Sequence, residues 1–140
     1  MYLRECLVEN IGPIRSLDVS FSMNEEGNPK PVVLVGPNGT GKTIFLSFIA
    51  DALIEFAKTA YRDVVVPQPT MQSPYFRVLS PLNVTWNCKF GIALLEFLDK
   101  DKKFSYIEKT GKLDVETFNA KLKKRFQLKR KIPNLPLNKK

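Results

Sequence analysis

A chain of 140 residues with 44% hydrophobic content is long enough for one domain with a real core and too short for two, and its composition is not that of a disordered protein. No apolar run approaches the roughly 18 residues of a membrane span, residues 1–6 lack the basic-then-apolar start of a signal segment, and a cytoplasmic protein without a membrane partner is expected. The net charge is +8 with no histidine, which removes every mechanism that needs an imidazole base; the two cysteines, Cys6 and Cys88, fit no metal spacing and read as reduced thiols.

The predicted elements begin with two strands. Residues 3–8 form the first, less cleanly patterned, and Leu17, Val19 and Phe21 alternate with Asp18, Ser20 and Ser22 in the second, with a turn-forming segment at residues 10–16 between them. After another turn at residues 24–31 comes the run Val32, Val33, Leu34, Val35. Uniformly apolar and rich in β-branched residues, it predicts a strand buried on both faces of a parallel sheet. Residues 36–43 then read G-P-N-G-T-G-K-T, a complete phosphate-loop pattern of the form G-x-x-x-x-G-K-[ST]. A helix is expected from Lys42 to about Tyr61. Its polar residues Ser47, Asp51, Glu55, Lys58 and Thr59 form one narrow stripe, while Ile44, Phe45, Leu46, Phe48, Ile49, Leu53, Ile54 and Phe56 occupy the rest of the circumference. That distribution predicts a helix between two layers, with the sheet on one side and a second sheet on the other.

Residues 67–81 contain four prolines and read as an irregular connection. Val84, Trp86, Cys88, Phe90 and Ile92 then alternate with polar residues and glycine, predicting a strand that runs on to Leu98, turns at the charged residues 99–102 and returns through residues 104–107 as a hairpin. From Asp114 a helix follows, with Val115, Phe118, Leu122 and Phe126 on one face, ending before Pro133.

Strand, glycine loop and helix N-terminus in that order make an anion site, because the unpaired N–H groups of the loop and first turn converge where the helix dipole favours negative charge. Gly36, Gly39 and Gly41 let the backbone wrap round phosphate oxygens. Lys42 brings charge to the β- and γ-phosphates, and Thr43 offers a hydroxyl to Mg²⁺.

The loop G-P-N-G-T-G-K-T resembles the G-x-N-G-[ST]-G-K-[ST] loop of ABC-type ATPases, in the branch that includes SMC proteins, RecF-like repair ATPases and OLD-family and related bacterial defence ATPases. Residues 3–17, with Asn10, Ile11, Arg15 and Ser16, resemble the opening of that branch, and the Gly-Pro-Ile-Arg version looks most like stand-alone ATPases of the Septu and retron type. The resemblance implies an α/β P-loop NTPase fold: the first lobe of an ATPase head, with a mixed sheet and an antiparallel β-layer around the phosphate-loop helix. It implies ATP and Mg²⁺ as cofactors, a loop-shaping role for Asn38, and an approach of Arg15 to the phosphates or ribose. The nucleotide-contacting set is then Arg15, Gly36, Pro37, Asn38, Gly39, Thr40, Gly41, Lys42, Thr43 and Ile44. Implied partners are a second ATPase subunit meeting it head to head, a nuclease or other effector, and DNA or RNA.

The same branch uses a strand ending in Asp-Glu, a signature helix and a Q-loop glutamine, and the sequence contains no such Asp-Glu strand or signature helix. Ile92, Ala93, Leu94, Leu95 and Glu96 have the apolar run without paired carboxylates and read as a hairpin strand; Gln127 reads as a solvent-facing helix residue. Residues 1–112 are expected to be an N-terminal ATPase lobe, and residues 113–140 a basic helix and tail leading onward. The lobe alone is expected to bind ATP weakly and hydrolyse it negligibly.

Nine of the 22 basic residues and none of the 14 acidic ones lie from Thr117 onward. Lys121, Lys123, Lys124, Arg125, Lys129, Arg130 and Lys131 suit a helix C-terminus electrostatically, and the alternative reading is contact with nucleic-acid phosphates. Two other function classes fit less well. A nucleotide kinase shares the loop but usually begins with the loop strand itself, and a nucleic-acid-binding module would leave the loop without a purpose.

Overall fold

The computed structural model describes residues 1–61, 83–100 and 102–126. They form strands β1 (Tyr2–Ile11) and β2 (Ile14–Ser20), helix α1 (Lys42–Ala60), strands β3 (Phe90–Asp99) and β4 (Lys102–Gly111), and helix α2 (Val115–Phe126). The strands make one four-stranded sheet in the order β2-β1-β3-β4, every pair antiparallel.

Alternation along the strands gives the sheet two apolar faces. Cys6 and Val8 of β1, Ala93, Leu95 and Phe97 of β3 and Tyr106 of β4 point to one face, where they meet Phe45, Phe48 and Ala52 of α1. Leu7, Ile92 and Leu94 point to the other and meet Leu113 and Phe118. β3 is covered on both faces, so residues 91–97 are all buried, and this is why its sequence reads as a continuous apolar run. Within that run Glu96 is 2% exposed; the Lys103 ammonium lies 3.2 Å from its Oε1, an ion pair without the direction of a hydrogen bond. The stretch from Ile92 to Glu96 is thus one arm of a hairpin.

The expectation of an α/β P-loop lobe with a parallel or mixed sheet is overturned. Both hairpins pair locally through short turns, and the resulting sheet is antiparallel throughout the described residues. The run Val32, Val33, Leu34, Val35, expected as the buried strand feeding the loop, belongs to no strand, and Val33 and Val35 are 81% and 89% exposed. β-propensity is realised only against a neighbouring strand, and these four residues, with Pro31 just before them, have none among the described residues.

Two smaller expectations are also corrected. The strand predicted from Val84 begins only at Phe90: Val84 makes an isolated bridge to Ile11, and Asn87, at φ 65°, turns the chain. Among the described residues, helix α1 is covered on one side, not two. Its buried stripe is Phe45, Phe48 and Ala52, at helical spacing, together with Asp51, which the sequence pattern placed in the narrow polar stripe; Leu46 and Leu53 are exposed. The proline-rich connection at residues 67–81 and the tail beyond residue 126 lie outside the described residues. No helix among the described residues is long and apolar enough to cross a membrane.

Candidate phosphate-binding site

The site grows from the N-terminus of α1. Gly41 is the residue before the helix, in the left-handed region at φ 94°, and Gly39 takes φ 84°. Phe45 N–H donates to the Gly41 carbonyl at 2.9 Å, which closes the first helical turn. A glycine has no side chain to cap that turn, and the turn carries no acidic residue. It carries Lys42 instead, the charge that a helix dipole disfavours at this end. A cation beside uncapped N–H groups is a costly arrangement for the protein alone and a favourable one for holding an anion.

The loop closes on itself through short polar contacts. Lys42 Nζ donates to the carbonyls of Gly36 at 2.8 Å and Pro37 at 2.7 Å, and Thr40 Oγ1 donates to the Pro37 carbonyl at 3.0 Å. The ammonium is therefore held across the loop and not extended into solvent. One turn further along, Ser47 Oγ donates to the Thr43 carbonyl at 2.9 Å.

Pro13, Asn38, Gly39, Gly41, Lys42, Thr43 and Ile44 line a pocket of about 270 Å³ at this end of the helix. Sites that enclose most of a nucleotide-sized ligand run from roughly 300 to 1,000 Å³. This one is just below that range. No carboxylate is among the described lining residues. Among the described residues no group of three or more His, Cys, Asp or Glu is placed to hold a metal ion. Thr43, the residue that the sequence pattern nominates for Mg²⁺, is among the lining residues.

The structure brings together most of the residues that the sequence pattern nominates. Asn38, Gly39, Gly41, Lys42, Thr43 and Ile44 line the pocket, with Gly36, Pro37 and Thr40 in the loop that Lys42 and Thr40 tie together. Arg15 lies on β2, exposed, and is not among the lining residues. It follows Ile14, whose side chain turns inward to the α1 face.

Sequence reasoning missed Pro13 as a wall of the pocket. The signal was present in the turn-forming Gly-Pro pair, but nothing in the sequence says which element the turn touches.

Of the seven basic residues nominated for nucleic acid, Lys121 alone has a described side chain. Its ammonium donates to Glu9 Oε2 at 2.7 Å and sits 5.8 Å from the Phe90 ring centre, tying α2 to the sheet. Lys123, Lys124, Arg125, Lys129, Arg130 and Lys131 lie outside the described side chains.

No protein-family model matches the chain, and no curated protein matches it in sequence.

Proposed function

We propose that residues 36–43 and the first turn of α1 bind the phosphates of ATP, with Mg²⁺ carried in by the nucleotide. The observation that supports this most directly is the uncapped, glycine-started helix with Lys42 folded over the loop at the mouth of a phosphate-sized pocket. Backbone N–H groups would take the phosphate oxygens, Lys42 would exchange one of its carbonyl partners for the β- and γ-phosphates, and Thr43 would give one oxygen to the metal.

Binding and hydrolysis separate here. Phosphoryl transfer to water needs a group that positions the water and groups that stabilise the transferred charge, and the lining offers Lys42 without a carboxylate. Hydrolysis is therefore assigned to a site completed from elsewhere. The resemblance to ABC-type ATPases supports a second ATPase subunit in that role, in a cytoplasmic assembly that acts with a DNA-processing or defence effector. The antiparallel sheet lends no support to that part of the reading, which rests on the loop and on residues 3–17.

The test is titration of the full chain with Mg·ATP by calorimetry. Lys42→Ala is expected to weaken binding at least about tenfold, the scale of one lost charge-assisted phosphate contact. Equal affinity in the two proteins would overturn the phosphate assignment, and robust turnover abolished by Lys42→Ala would overturn the separation of binding from hydrolysis.

A further inference from the structure

One wall of the phosphate pocket, Pro13, comes from outside the loop and helix, and its placement depends on a contact far away in sequence. We infer that Thr85 is a positioning residue for the phosphate loop, acting through the peptide that joins Gly12 to Pro13. The inference rests on the phosphate-binding reading above.

The turn between β1 and β2 is held between two neighbours. On one side it packs against the loop and α1. A Cβ built on Gly41 would lie 2.5 Å from Ile14 Cγ1 and 3.3 Å from Pro13 Cγ, and one built on Gly12 would lie 2.9 Å from Ile44 Cδ1, so turn and loop touch with no space between them. On the other side it is gripped by residues 83–88. Gly12 N–H donates to the Asn83 carbonyl at 2.7 Å, Thr85 N–H donates to the Asn10 carbonyl at 2.9 Å, and Cys88 Sγ donates to Asn10 Oδ1 at 3.3 Å.

Within this grip the Thr85 hydroxyl has a distinct place. It donates to the Gly12 carbonyl at 2.8 Å across 73 residues of sequence. The peptide that begins with that carbonyl ends on a proline nitrogen and has no N–H, so the carbonyl is the one polar handle by which it can be oriented. Gly12 itself, at φ 54°, has wide conformational freedom and does not hold the peptide unaided. Turning this peptide swings the Pro13 ring against Gly41, and with it the wall that faces the first-turn N–H groups of α1. Thr85 therefore sets how closely the turn closes on the phosphates, without touching them.

A merely structural role would lower stability and leave the affinity of the folded protein unchanged. The experiment separates the two by measuring Mg·ATP and inorganic tripolyphosphate binding by calorimetry, well below the melting temperature of each full-chain variant. Thr85→Val removes the donor at nearly constant shape and is expected to weaken both ligands alike by roughly three- to tenfold. Thr85→Ser keeps the donor and is expected to stay within about twofold of wild type. Leu113→Ala, on the opposite face of the sheet, lowers the melting temperature and leaves both affinities unchanged. Wild-type affinity in Thr85→Val, failure of Thr85→Ser to restore binding, or equal weakening by Leu113→Ala overturns the positioning role, provided Lys42→Ala still weakens both ligands. If Lys42→Ala binds both ligands as tightly as wild type does, the phosphate assignment itself falls and the inference with it.

Discussion

At Gly41 two constraints meet, of which Gly39 shares only one. Both residues have positive φ, 94° and 84°, but a Cβ at Gly39 has nothing within 4 Å, whereas one at Gly41 would strike Ile14. Gly39→Ala is thus expected to cost only its backbone strain, about 1 kcal/mol, and Gly41→Ala the strain plus the displacement of a buried isoleucine, about 2–4 kcal/mol in all. Urea denaturation of the two variants measures the difference, and equal losses would contradict the close packing of turn and loop. The motif names both glycines and treats them alike; the contact that distinguishes them comes from residues 25 and more positions earlier in the chain.

The two helices start in opposite ways. α2 has a side-chain cap: Asp114 Oδ1 accepts the Thr117 N–H at 2.7 Å, Glu116 sits in the first turn, and Phe118 N–H donates to the Asp114 carbonyl at 3.1 Å. The Thr117 amide, and after it the Thr117 hydroxyl, hold the Asp114 carboxyl below the usual carboxylate range. Because the folded value is the lower one, this stabilisation is present in full above the unfolded carboxylate pKa and is lost as pH falls through the folded one. Amide exchange at Phe118 is therefore expected to accelerate relative to intrinsic exchange below about pH 4. Asp114→Asn, which keeps an acceptor and loses the titration, should flatten that dependence, and an unchanged acid response in the variant would assign it to another group. α1 has no side-chain cap at its start, and the phosphate-binding proposal uses that difference.

On the scale of the molecule, the sheet separates two apolar layers, each with one helix among the described residues. Exposed large apolar groups include a continuous run at residues 32–35, with others scattered at Leu46, Leu53, Trp86 and Val115. Substituting Val33→Lys and Val35→Lys is expected to shift stability by no more than about 0.5 kcal/mol, because these side chains bury little in the fold. It should also reduce binding of an apolar dye such as ANS. A loss of several kcal/mol on denaturation would show that the segment is packed in solution. The uneven charge has its structural side too, since Lys121 is spent on Glu9 and Phe90 in docking α2.

The amino-acid sequence by itself located the glycine loop at residues 36–41, the helix from Lys42 to about Tyr61, a turn within residues 10–16, a hairpin whose second strand it set at residues 104–107 and whose first it began six residues early at Val84, and the helix after Asp114. Each of these is a local matter of glycine and proline conformations, side-chain periodicity or a capping carboxylate, all visible within a dozen residues. Only the tertiary structure decided what residues 32–35 do, because a β-branched run states a preference for pairing and says nothing about whether a partner edge is free. The direction of the sheet was likewise settled by which strands meet, and here neighbouring hairpins meet antiparallel. Helix α1 makes the same point. Its apolar residues are spread over most of the circumference, and which of its residues are buried, Phe45, Phe48 and Ala52, was decided by the face that meets the sheet. The contact of Thr85 with Gly12 lies at the far end of this scale, since a hydrogen bond across 73 residues leaves no periodic trace in the chain that makes it.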